Sequence, residues 1–431
     1  MAPNPRVSRR VARPYLGLLL FLLCLGILCA DSSSGSSQTD TGSQALQPNP
    51  KLPPPPEAYA GDAACRACHA KQAAPYLATP HHQTSRPPSA GSIKGSFSPG
   101  LNLLRTANPD LVFVMNAEKG HFYQSAVDIQ DPSHVQAFTE PFDIIVGSGR
   151  KGQTYLYWKG DELFELPVSY WTSIHRWVNS PGYPDGQVHF DKAIVPRCLD
   201  CHGSYFESQA PPLNRFRKTS LVLGISCEKC HGPGREHVVR ERSPHPPRPG
   251  SPQEAIVNPA HLPRDRQLDL CSLCHAGPAT PIAPTLSYLP GDAVDEFLKI
   301  PDPGPDAPVD VHANQVQLLR RSRCFQSSDM NCSTCHNVHT QQRDLVALSA
   351  RCLICHKVQA CGKYAQMGEQ IRQKCVECHM PLQRSDVLFA ILDGEQLRPL
   401  VRTHRIAIYP DAPGSSAENP GVTTAPRPPG Y

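Results

Sequence analysis

The sequence is poor in the residues that usually build an interior. Hydrophobic residues fill only 39% of its 431 positions and aromatics 7%, a thin supply for burying a core of that length. Net charge is missing too. The formal +4 comes from Arg6, Arg9, Arg10 and Arg13, and residues 31–431 hold equal numbers of basic and acidic side chains. Nothing in that balance calls for nucleic acid as a partner. The 47 prolines exclude long helices and favour a chain that winds in short segments.

The four arginines precede an unbroken apolar run, Tyr15 to Ala30. Its 16 residues suit the h-region of an export signal and are short for a membrane span. Cleavage after Ala30 is expected. Lipidation at Cys29 or an uncleaved anchor is the alternative, so membrane attachment through the N-terminus stays open. Residues 31–59 read as a Ser/Pro-rich linker ending in a stiff Pro53–Pro56 spacer.

No cysteine occurs between Ser92 and Pro196. There the pattern alternates in steps of two: Leu111 to Val127 reads as two strands around a Glu-Lys-Gly turn, and Phe142 to Val168 as a meander turning at Lys159–Asp161. Gly147 to Gly152 matches G-x-G-x-x-G, but the following QTYLYW alternates like a strand. It is a hairpin connection rather than a dinucleotide site.

The remaining segments are dense in cysteine, and 14 of the 18 cysteines fall in one pattern, C-x-x-C-H. The seven copies are Cys65/Cys68/His69, Cys198/Cys201/His202, Cys227/Cys230/His231, Cys271/Cys274/His275, Cys332/Cys335/His336, Cys352/Cys355/His356 and Cys375/Cys378/His379. Here they are motifs 1 to 7. Residue frequencies alone would give far less than one. Two thiols at this spacing add to the vinyl groups of a c-type haem, and the adjacent histidine binds its iron. Zinc sites would not require histidine at the fifth position every time, and a thioredoxin-like dithiol would occur once. Seven covalently bound haem c groups are therefore expected, attached after export.

The segments divide as 1–30 signal or anchor, 31–59 linker, 60–91 first haem-binding segment and 92–196 β-rich unit. Motifs 2–4 follow in 197–290, motifs 5–7 in 291–408, and a disordered tail in 409–431. The fold class is a multihaem cytochrome c: short α-helices and loops around haems, with a small β-rich unit between motifs 1 and 2. About 30 residues serve each haem beyond Pro196, so porphyrins must supply the missing interior.

Twelve histidines lie outside the motifs, against five methionines, which favours bis-histidine iron. His339 and His237 each lie too close to their own motif to reach across its haem, and are assigned to neighbouring haems. His312 and one of the adjacent pair His81/His82, taken as His82, come next, with His404 and His261 as further candidates. His175 and His189 are read as structural and His245 as solvated. Cys324 and Cys361 remain in the exported part; a disulfide between them is expected, with two buried thiols as the alternative.

Several stretches resemble the exported multihaem cytochromes of the c-552/c-554 type, relatives of the hydroxylamine-oxidising enzymes. They are VGSGRKGQTYLYW, LPVSYW with WVNSPGY, CEKCHGPGREHV, SRCFQSS before CSTCHNVH, and CVECHMP with THRI, spanning about 60–408. The resemblance implies electron transfer through closely packed haems. It supports His237, His312, His339 and His404 as ligands and Cys324 with Cys361 as a co-occurring pair. Its prototype carries four haems, not seven. A periplasmic electron carrier without substrate chemistry is expected, working between redox partner proteins such as a quinol-linked complex or other cytochromes. The alternative is an oxidoreductase with one open-site haem acting on a small nitrogen compound; the sequence contains no C-x-x-C-K, the lysine-ligated variant of some nitrite reductases.

Overall fold

The structure, a computed structural model, describes residues 51–130, 138–248, 251, 255–302, 304, 308–310, 314–385 and 387–410. The leader, most of the linker, the C-terminal tail, His134 and His312 lie outside the described residues.

Eleven strands are built largely between motifs 1 and 2: β1 (Ser85–Arg86), β2 (Leu103–Arg105), β3 (Leu111–Glu118), β4 (His121–Asp128), β5 (Thr139–Pro141), β6 (Ile144–Val146), β7 (Gly152–Lys159), β8 (Glu162–Glu165), β9 (Val168–Trp171), β10 (Arg176–Asn179) and β11 (Lys192–Ala193). They form two antiparallel sheets. One runs β2-β3-β4-β5; the other runs β1-β6-β7-β8-β11, with β9 joining β7 to β10. The expected hairpins are present. Glu118 faces His121 across a turn in which Lys119 and Gly120 both have positive φ, the geometry that matches strand twist in a two-residue connection. Lys159 faces Glu162 across the second turn.

The β-rich unit is larger than the expected boundaries. Ser85 and Arg86, ahead of Ser92, pair with Val146 and Ile145. The G-x-G-x-x-G stretch joins β6 to β7 and no helix follows it. Gly147 has φ 101°, and a Cβ there would lie 2.6 Å from the Gly152 carbonyl oxygen.

Alternation along β3 turns Leu111, Phe113 and Met115 inward, where they join Phe142, Ile145, Tyr155, Val168 and Trp177 in the largest apolar cluster. Phe142 stacks on Tyr155 with centroids 4.2 Å apart, and Trp177 donates its indole N–H to the Ser96 carbonyl. Trp177→Ala should cost about 3–5 kcal/mol in chemical denaturation while leaving the number of attached haems unchanged. The other face of the larger sheet buries Ile144, Leu156 and Leu163 against Leu199, Phe206 and Phe216. Leu199 lies between the cysteines of motif 2, so this contact seats that motif on the sheet.

The rest of the chain winds through short helices: α1 (Asp62–Cys68), α2 (Ala70–Tyr76), α3 (Pro196–His202), α4 (Cys227–His231), α5 (Arg235–Glu241), α6 (Arg264–His275), α7 (Gln315–Arg320), α8 (Arg323–Gln326), α9 (Leu345–Cys352), α10 (Tyr364–Met367) and α11 (Cys375–His379). The α10 helix ends after Met367, where Gly368 takes φ 60° and a 3-10 stretch follows. Among the described residues no helix is long and apolar enough to cross a membrane.

Candidate functional site: a cavity walled by paired histidines

Six of the seven motifs start within or finish a short α-helix, and motif 5 opens on a 3-10 turn at Cys332–Thr334. One helical turn places residues i, i+3 and i+4 on the same side, so each spacing presents two thiols and an imidazole together. The backbone closes the turn directly: the His69 amide donates to Cys65 at 2.8 Å, His336 to Cys332 at 2.9 Å and His356 to Cys352 at 3.0 Å.

All 21 motif residues line one continuous cavity of about 3800 Å³. An equal share per motif is roughly 500 Å³, within the range that encloses one ligand of drug size. Across this cavity, motif histidines face histidines from remote segments. His69 and His237 have ring centroids 6.3 Å apart and planes inclined by 19°. His231 and His339 are at 6.1 Å and 22°, and His336 and His404 at 6.3 Å and 29°. His275 faces His81 at 5.9 Å, but these planes cross at 83°.

The other nitrogen of five motif imidazoles is held from behind. Nδ1 of His231 lies 2.9 Å from the Val257 carbonyl oxygen and Nδ1 of His379 lies 2.8 Å from that of Ala407. His275 and His336 each reach a glutamine Oε1 at 3.2 Å, from Gln315 and Gln342. His202 Nδ1 meets the Thr84 hydroxyl at 2.9 Å. Holding Nδ1 orients the ring and leaves Nε2 for a metal. At four of the facing rings burial also favours the neutral, ligating form. It pushes His81 down to about 4, helped by His275 and His336, and His404 to about 4, helped by His336. Burial lowers His231 and His275 as well.

Sulfurs of different motifs touch. Cys65 meets Cys227, Cys201 meets Cys274, Cys271 meets Cys332, and Cys352 meets Cys375. These contacts join motif 1 to 3, 2 to 4, 4 to 5 and 6 to 7.

The residues fit c-type haem. A metal about 2 Å from a nitrogen of each ring puts the two centroids roughly 6 Å apart, which is the spacing of the four pairs. Among the described residues no group of three or more His, Cys, Asp or Glu side chains converges as a zinc cage would require.

Of the expected distal histidines, His237, His339 and His404 face motif histidines. His82 does not: its Nδ1 lies 3.7 Å from Asp62, and its ring is edge-on to Tyr76. His81, one residue earlier, occupies the facing position. His312 is outside the described residues, His175, His245 and His261 are exposed, and His189 is half-buried. The Cys324–Cys361 disulfide is not formed. Both are free thiols, with Cys324 near Cys335 and Cys352 of motifs 5 and 6, and Cys361 near Cys375 and Cys378 of motif 7.

A family model described as cytochrome c554 and c-prime matches residues 181–232, the end of the β-rich unit with motifs 2 and 3. The outer cell wall cytochrome OcwA superposes with a TM-score of 0.50 at 13% identity, covering 81% of this chain and 79% of its own. An undecahaem cytochrome from the S-layer of Carboxydothermus ferrireducens gives a TM-score of 0.38 at 14% identity, over 84% of this chain and 53% of its own. No curated protein matches. Over residues 181–232 the chain is similar to this cytochrome family, and its fold is similar to that of OcwA. The c554 likeness itself is confined to the matched 52 residues.

Proposed function

We propose that the protein is an exported seven-haem cytochrome c that carries electrons between redox partners, built on the c-552/c-554 plan and extended in haem number. The observation that carries this reading is the set of facing histidines, each combining a motif histidine with one from another segment. In it, the fourteen motif cysteines hold the porphyrins, and His69, His202, His231, His275, His336, His356 and His379 are proximal ligands. His237, His339, His81 and His404 are the distal ligands for motifs 1, 3, 4 and 5. Bound haem supplies one-electron transfer. The chain sets the spacing, fixes the imidazole planes and excludes water.

Export accords with the Arg-rich leader and its apolar run, and with covalent attachment outside the cytoplasm. OcwA is an outer cell wall protein, which supports the same placement. The partners proposed are a quinol-linked complex or other cytochromes.

Expression with the maturation machinery should give a mass increase of seven haems that survives acid–acetone extraction, together with low-spin EPR. A high-spin, ligand-accessible iron in the wild-type protein would instead favour the nitrogen-compound oxidoreductase. The crossed planes of His81 and His275 should add a low-spin signal of unusually high anisotropy. Replacing His81 with alanine should abolish that signal, and replacing His82 should leave it. The reverse outcome would reassign the ligand of motif 4.

A further inference from the structure

Motifs 2, 3 and 4 meet at a buried charge cluster that haem attachment does not require. Asp200 lies between the cysteines of motif 2 with its side chain 5% exposed. It accepts from Lys229 Nζ at 2.9 Å and from Arg197 Nη1 at 2.8 Å. Lys229 occupies a position between the cysteines of motif 3, and its side chain is 11% exposed. Arg197 also donates from Nη2 to the Leu273 carbonyl, inside motif 4, at 2.7 Å. Cys201 of motif 2 approaches the same carbonyl at 3.9 Å.

Two cations against one carboxylate leave this cluster one net positive charge, while the buried Glu228 of motif 3 accepts instead from the Ala60, Gly61 and Gly234 amides. As a staple this is a poor choice, since buried ions lose hydration that their pairing only partly returns. The corresponding positions in motif 6 are the apolar Leu353 and Ile354, so the fold does not demand charge there. Added porphyrins would bury the cluster further and leave it less screened by solvent.

We propose that the Arg197–Asp200–Lys229 cluster raises the reduction potentials of the haems carried by motifs 2, 3 and 4. The assignment rests on the haem reading above. An iron that accepts an electron loses one unit of positive charge, so a fixed positive neighbour favours its reduced state. Net charge and burial are among the levers by which a protein sets such potentials.

The test is a spectroelectrochemical titration of holoprotein variants, each first weighed for seven haems. Lys229→Met should lower the potential of a subset of haems, changing their oxidised-to-reduced ratio at fixed potential by tenfold or more, about 59 mV per tenfold for one electron. Asp200→Asn should raise the same subset. Opposite signs separate a charge effect from a loosened staple, which would move both variants the same way. Lys229→Arg keeps the charge and should keep the potentials. Where either buried variant fails to mature, Arg197→Gln, at the more exposed edge, must shift the subset downward. Unchanged potentials or shifts of one sign in seven-haem protein overturn the proposal. A wild-type protein without seven haems overturns the reading beneath it instead.

Discussion

His339→Ala is expected to convert one low-spin iron to high spin and to let the reduced protein bind one carbon monoxide per molecule. The His339 ring faces that of His231 at 6.1 Å, and the Val257 carbonyl fixes the His231 ring from behind. Deleting His339 therefore opens one face of the motif 3 site while the proximal side keeps its orientation. Tyr76 stands edge-on to His339 at 6.0 Å, with its hydroxyl committed to the Ile225 carbonyl at 2.8 Å, so it is not free to substitute. Added imidazole should restore the low-spin signal. His261→Ala, at an exposed position, should change neither the spin state nor gas binding. A His339→Ala protein that stays wholly low spin and refuses carbon monoxide would show that His339 is not the ligand.

The chain made without haem attachment should keep its two β-sheets and lose most other structure. The sheets enclose a cluster of fifteen buried residues, enough apolar contact to hold a small unit together. Around motifs 4 and 5 the clusters contain only five and three buried residues. The helices there surround a cavity of about 3800 Å³, and a void of that size cannot persist in a water-filled chain of short helices. Hydrogen exchange on haem-free protein should find slow amides confined to about residues 103–179. The segment from Cys227 to His379 should exchange as an unfolded chain. Protected amides in α6 or α9 without haem would mean that porphyrin is not the interior there.

The motifs were fully legible in the sequence, because Cys, Cys and His at i, i+3 and i+4 form a purely local pattern. The hairpins of β3–β4 and β7–β8 were legible for the same reason. What escaped was everything decided by topology. β1 and β11 are two residues long and carry no periodicity, so the true edges of the larger sheet could not be read. The facing histidines come from distant segments, and spacing alone cannot say that His237 meets His69 rather than another motif. His81 and His82 are adjacent on one turn, and the turn is placed by tertiary contacts: the Ile225 amide donates to His81 at 3.1 Å, and Gly224 packs against the His82 carbonyl. The groups behind the imidazoles left almost no trace. Only Gln342, six residues past His336, lay close enough to suggest itself; Val257 and Ala407 act through backbone carbonyls, which no side-chain motif records.

In the proposed exported cytochrome, the crossing of ligands between segments would also order assembly in time. The N-terminus would cross the membrane first, and motif 1 would wait for His237, motif 3 for His339 and motif 5 for His404. Of the four facing pairs, only that of motif 4 would find its partner, His81, already across. Those early sites would then stand half-closed through most of translocation, and the last of these four pairs to close would do so with His404.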